Sequence, residues 1–292
     1  MSDADVYQNY TAAELQHQYD TRAGVPGIEE MVVKRPKMAA AYRAGSSNAK
    51  LNVAYGTREK ETLDLFLPEN ASNAPVQLFI HGGYWTMMDK DDFSFVAKPY
   101  VDAGAIVAVA NYDLCPTVSL PGIVEEMRRC LAWLYKNAAS FGGNPDQLHI
   151  SGHSAGGHLT GMMLATDWPA FDTAVPVDVI KSAVPMSGIY DLEAMRHIKL
   201  QELIALDEAT ARVNSPMFLD VKNVVPTLVA VGGGESDEFH RQSLHYVEHL
   251  KGAGADVTYM DCPGLYHSSL VTETLEANHP FTQARLRLMG LN

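Results

Sequence analysis

From about residue 51 the chain alternates between two apolar rhythms. "LNVAYG" and "TLDLFLP" are short, turn-bounded and strand-like. "VQLFIHGG" and "AIVAVANYD" are near-continuous apolar runs, the pattern of strands covered on both faces. "QLHISG", "SAVPMSG", "PTLVAVGG" and "DVTYMD" extend the series to eight strands. Between the strands the period changes. In "PGIVEEMRRCLAWLYKNAASFGG", Ile123, Met127, Cys130, Leu131 and Leu134 recur at three- and four-residue steps. Pro121 stands near the start of that run and Gly142 just past its end, the asymmetry of a helix. "DFSFVAKPYVDAG" is helix-like and also ends at a glycine. Buried strands alternating with amphipathic helices predict an α/β protein, with a mostly parallel eight-stranded sheet and helices on both faces. Sites in such sheets form beyond the carboxyl ends of the strands. "HGGYW" (81–85), "SGHSAGGH" (151–158) and "GGGESDEF" (232–239) all lie there.

The first 50 residues follow neither rhythm. "AAELQHQYD" is polar with scattered apolar positions, and "IEEMVVKRPKMAAAYRAG" is partly amphipathic. Residues 1–50 therefore read as an N-terminal helical extension or cap, and 51–292 as one main domain, with no linker or repeat dividing it. The stretch 190–225 is placed to act as a lid insertion.

Composition narrows the function. A net charge of −13 disfavours nucleic acid as a partner, because an acidic surface repels phosphate. The N-terminus has no basic n-region followed by an apolar stretch, and no run reaches the roughly 18 apolar residues of a membrane span. Cys115, Cys130 and Cys262 are odd in number and unpaired in spacing, which fits free thiols in a reducing compartment. The expectation is a cytoplasmic protein with a small-molecule substrate and no membrane partner; a homodimer stays open. No H-E-x-x-H and no ligand-spaced His/Cys/Asp cluster is present, and "VGGGESDEF" lacks G-x-G-x-x-G. Neither a metal nor a cofactor is expected.

Chemistry concentrates at Gly152-His153-Ser154-Ala155-Gly156, a G-x-S-x-G match between a buried strand and a helix-like run. That context is what a nucleophile elbow needs: the glycines relieve crowding at a strained turn and the hydroxyl projects above the sheet. A serine hydroxyl needs a neighbouring base, commonly a histidine oriented by a carboxylate. His158, four residues on, reads as a packing or pocket residue, while His240, His245 and His249 share one helix. His267 lies in "CPGLYHSSL", directly after the last strand, where a base can reach over Ser154. The acid should follow "PTLVAVGGG". Glu235 is closest to the strand end, Asp237 is the alternative, and Glu238 falls in the first turn of the next helix.

Acyl transfer also needs donors for a developing oxyanion. One is the N–H of Ala155, after the nucleophile. The others come from the loop after an earlier strand, and in "HGGYW" the candidates are the amides of Gly83 and Tyr84. His81, Gly82, Trp85, Tyr112, His158 and Tyr190 are candidates to wall the substrate pocket.

Taken together, "HGGYW", "NYDLCPTVSLPGIVEEM", "SGHSAGGHL", "SGIYDLEAM" and "GGGESDEFHRQS" resemble the arylformamidase (kynurenine formamidase) family of α/β-hydrolases, near the hormone-sensitive-lipase-type esterases. The resemblance runs from about residue 51 to the end and is weaker before it. It implies the α/β-hydrolase fold and a serine hydrolase acting on an N-formyl arylamine such as N-formylkynurenine, or on small esters. The family's acid position corresponds to Glu235 and its base to His267. Glutamate at 235, where the family often has aspartate, is a departure that leaves a carboxylate to orient the imidazole. "HSSL" after the base departs from the aromatic more common there.

Overall fold

The computed structural model describes residues 4–291. The strands are β1 (Ala49–Ala54), β2 (Thr62–Phe66), β3 (Ala74–Ile80), β4 (Ile106–Ala110), β5 (Gly143–His153), β6 (Ile180–Met186), β7 (Thr227–Gly232) and β8 (Val257–Cys262). They form one eight-stranded sheet in the order β1-β2-β4-β3-β5-β6-β7-β8. β2 runs antiparallel to both its neighbours, and every pair from β4 to β8 is parallel. All eight strands fall where the apolar runs predict them.

Period-two alternation sorts the side chains onto two cores. Val76, Leu78, Ile80, Ile106, Ala108, Leu148, Ile150, Val229 and Val231 face one. Phe79, Val107, Val109, Val184, Leu228 and Ala230 face the other. The Leu120–Asn137 helix buries Ile123, Val124, Met127, Leu131 and Leu134 in the first core. Each fully buried Leu or Ile contributes roughly 1.5–3 kcal/mol to that packing.

The N-terminal segment is fastened to the main domain by polar contacts as well as packing. On its second helix, Ile28–Gly45, Arg43 donates to Asp64 at 2.7 Å. The Lys90 ammonium lies 3.2 Å from the other oxygen of that fully buried carboxylate. Two cations on one buried anion offset much of its desolvation, and the arrangement pins the helix beside the loop after β3. Ahead of it, Tyr19 donates to Glu238 at 3.0 Å, and Gln242 donates to Tyr19 at 3.0 Å. Tyr7 donates to Asp191 at 2.8 Å and accepts from Arg241 at 2.7 Å. Residues 190–225 form short helical turns, and the Gln242 side-chain oxygen accepts from the amides of Tyr190 and Asp191 at their start.

Candidate active site

β5 ends at His153, and the next helix begins at Ala155. Ser154 sits between them with φ 58° and ψ −119°, a conformation costing of order 1–3 kcal/mol for a residue with a Cβ. Its amide donates to Met186 O at 2.9 Å, and its carbonyl accepts from the His158 amide at 3.0 Å. These bonds hold the strained turn from both sides. A Cβ on Gly156 would stand 2.0 Å from Ile80 O and 2.7 Å from His81 O. Only a bare backbone lets the helix come this close to the end of β3. Gly156→Ala is expected to destabilise the protein by at least about 3 kcal/mol. An unchanged urea midpoint for that variant would contradict this account of the turn.

His267 lies on the loop after β8, and Glu235 on the loop after β7. His267 Nδ1 is 2.6 Å from Glu235 Oε2. With a carboxylate as partner, Nδ1 is the donor, which leaves Nε2 to accept a proton. Glu235 Oε1 accepts from the Gly232 amide at 2.7 Å and the Ser187 hydroxyl at 2.5 Å. The Glu235 side chain is only 1% exposed, and three donors fix its position. The His267 ring lies between those of His153 and Phe239, with centroids 4.5 and 4.6 Å away. Asp237 is exposed, opens the Asp237–Gly252 helix and makes no hydrogen bond to His267. No hydrogen bond joins the Ser154 hydroxyl to His267, but the two line one cavity. Such contacts commonly tighten only when substrate binds.

The loop after β3 completes this wall. A Cβ on Gly82 would stand 2.9 Å from His153 O and 3.0 Å from Ser154 Cβ, so the loop lies directly against the Ser154 turn. Tyr84 and Trp85 both take positive φ, 51° and 59°, and the Gly83 carbonyl accepts from the Thr86 and Met87 amides. Among the described residues no backbone or side-chain acceptor takes the amides of Gly83 or Tyr84, and Ala155, first in its helix, has none either. The Tyr84 hydroxyl donates to Tyr19 O at 2.5 Å, tying this loop to the N-terminal segment.

The cavity over Ser154 is about 400 Å³. Gly82, Gly83 and Tyr84 line it, with Phe93, Met87 and Met88. The other large contribution is N-terminal: Gln16, Tyr19, Asp20, Thr21, Arg22, Val32 and Arg35. Residues 190–225 are not among the lining residues of this cavity. A second cavity of about 250 Å³ opens beside it, between His17–Val25 and the Gly234–Asp237 loop.

Four other expected pocket residues are core residues. Trp85, Tyr112, His158 and Tyr190 are fully buried and absent from the cavity wall. Trp85 Nε1 donates to His158 Nδ1 at 3.2 Å, and His158 Nε2 donates to Asn214 O at 2.7 Å. Burial pushes the His158 imidazole down to about 4, so it stays neutral in this chain of bonds. Tyr190 stacks on Tyr246 at 4.0 Å. Tyr112 stacks on His81 at 4.2 Å and donates to His81 O at 2.9 Å. His81 is likewise buried, with Nδ1 2.7 Å from Gly82 O and Nε2 3.2 Å from Asn111 Oδ1. It braces the loop from beneath. These rings are amphipathic, and each satisfies its polar atom or stacks its face inside the core, which the local pattern does not reveal.

Sequence reasoning missed Ser187, His153 and the arginines of the N-terminal segment. Ser187 had a signal: it follows β6 at the carboxyl end of the sheet, in "SGIYDLEAM". Arg22 and Arg35 had none, because the approach of a helical extension to a distant site is a tertiary fact.

The BD-FAE family matches residues 63–242. Kynurenine formamidase of Danio rerio is 32% identical over 97% of this chain and 98% of its own length. The chain belongs to the kynurenine-formamidase family of α/β-hydrolases. Esterase LipQ of Mycobacterium tuberculosis is 27% identical, covering 77% of this chain and 58% of that protein. A solved structure from Silicibacter sp. tm1040, provisionally assigned as a thioesterase, superposes with a TM-score of 0.82 at 27% identity, covering 92% of this chain and 98% of that one. The protein is thus a hydrolase of the arylformamidase and carboxylesterase kind, and the fold is the α/β-hydrolase fold. Among the described residues no helix is long and apolar enough to cross a membrane.

Proposed function

We propose that the protein hydrolyses an N-formyl arylamine, N-formylkynurenine being the first candidate, through a formyl-enzyme on Ser154. Ser154 Oγ attacks the formyl carbon while His267 Nε2 takes the hydroxyl proton. The carbonyl electrons move to oxygen, and the free amides of Gly83, Tyr84 and Ala155 stabilise that oxyanion, at about 3 kcal/mol per donor. His267 returns the proton to the amine nitrogen as the carbon–nitrogen bond breaks. Water, deprotonated by the same imidazole, then releases formate and restores the serine. Glu235 holds His267 in the tautomer that both steps need.

The observation that carries this reading is the 2.6 Å His267–Glu235 bond on the wall that also holds Ser154 and the unpartnered loop amides. Phe93, Tyr84, Met87 and Met88 offer an aromatic leaving group flat and polarisable surfaces. The near full-length likeness to a kynurenine formamidase supports the formamide over an ester. Cys115, Cys130 and Cys262 are all free and buried, which supports a cytoplasmic setting. A short-chain carboxylesterase would use the same residues, and LipQ keeps that reading open.

Steady-state comparison of N-formylkynurenine with a series of p-nitrophenyl acyl esters tests the assignment. The expected result is a kcat/KM for the formamide well above that of the best ester. Good ester turnover with a negligible formamide rate would overturn it in favour of an esterase.

A further inference from the structure

Arg35 lines the cavity over Ser154 with no acidic partner among the described residues. Six of the eleven arginines form ion pairs among the described residues: Arg43 with Asp64, Arg58 with Asp113, Arg128 with Glu125, Arg129 with Glu61, Arg196 with Glu193 and Arg241 with Glu238. Neither Arg35 nor Arg22, the other arginine on this wall, has an ion pair among the described residues. The guanidinium of Arg35 sits 5.2 Å above the Phe93 ring, and its Nε is buried without a hydrogen-bond partner. His153, beside Ser154, lines the same cavity and is buried. Arg35 is thus a cation on the wall of the Ser154 cavity with no carboxylate bonded to it among the described residues.

The nearby anions are committed elsewhere. Asp20 is the one carboxylate on the cavity wall, and its Oδ1 accepts from the Arg22 amide at 3.0 Å. Asp92 attracts Arg35 at a distance, but its Oδ2 accepts from the Asp89 amide at 3.2 Å. Burial outweighs that attraction, with a smaller push from the charge of Arg22, and holds the Arg35 guanidinium below its usual value. That is the behaviour of a partly desolvated cation short of a counter-ion.

We infer that Arg35, seconded by Arg22, is a specificity residue that selects substrates carrying a carboxylate on the leaving group. The assignment rests on Ser154 being the nucleophile of this cavity. It also fits the acyl side: formyl has no substituent, so any charge the cavity recognises belongs to the amine portion. A guanidinium resting on an aromatic face keeps its fork of N–H donors free for a carboxylate.

The test uses the full chain and a pair of esters differing only by charge, phenyl acetate and 3-acetoxybenzoate. The readout is the ratio of kcat/KM for the anionic ester over the neutral one. Arg35→Met is expected to lower that ratio by about tenfold or more, chiefly through KM, and Arg35→Lys to lower it less. Raising the salt concentration should lower the wild-type ratio too. An Arg35→Met ratio equal to wild type, or equal proportional loss on both esters, would overturn the assignment. Calorimetric binding of 3-hydroxybenzoate separates this claim from the catalytic one. If neither ester is turned over, the binding arm decides: affinity weakened about tenfold by Arg35→Met would support the anion subsite, whatever the fate of the role given to Ser154. Equal binding by the two proteins would overturn it.

Discussion

Ser154→Ala is expected to give a folded protein whose hydrolysis falls by about 10⁴-fold or more, through kcat. Alanine fits where serine stands: the Ser154 amide and carbonyl bonds are backbone bonds, and the structure records no side-chain bond for its hydroxyl. The substitution therefore removes the attacking atom and little else. Residual activity would come from the loop amides and the cavity, which still bind and polarise a carbonyl. The measurement is steady-state kinetics beside a thermal melt. Turnover near wild type from a folded variant would move the chemistry away from this turn.

Glu235→Gln is the second large effect, expected to cost about 10³- to 10⁴-fold, with Asp237→Asn staying within about threefold. The carboxylate accepts three hydrogen bonds, from His267, Gly232 and Ser187. An amide has one oxygen. If that oxygen keeps Gly232 and Ser187, its NH₂ faces His267 Nδ1 and favours the tautomer with the proton on Nε2. That tautomer cannot take the serine proton. Asp237, exposed at a helix start, has only a weak interaction with the helix dipole to lose. The reverse ranking would reassign the acid.

The sheet was legible from the chain because buried parallel strands such as β3 and β4 leave near-continuous apolar runs, while the antiparallel β1 and β2 are marked as short, turn-bounded segments. Ser154, Glu235 and His267 were legible for a related reason: each sits where a strand ends, and the fold gathers those ends at one edge. Choosing Glu235 over Asp237 on proximity to the strand agrees with the hydrogen bond to His267. The pocket was much less legible. Trp85, Tyr112, His158 and Tyr190 sit close in sequence to catalytic motifs, but burial is decided by what packs over them. Their partners Asn214, His81 and Tyr246 are supplied by other segments. The N-terminal part of the cavity lining, from Gln16 to Arg35, is held by contacts such as Tyr84 with Tyr19 and Ser236 with Gln18. The latter spans 218 residues of chain, and no local pattern encodes it.

The most direct test of a covalent serine mechanism is to trap the acyl-enzyme. Rapid mixing of the protein with p-nitrophenyl acetate, quenched in acid and followed by peptide mass spectrometry, reads where the acyl group goes. The expected result is a burst of nitrophenol and an acetyl group on the peptide carrying Ser154, absent from Ser154→Ala. Sustained turnover with no acylated Ser154, or acylation at another residue, would contradict the account.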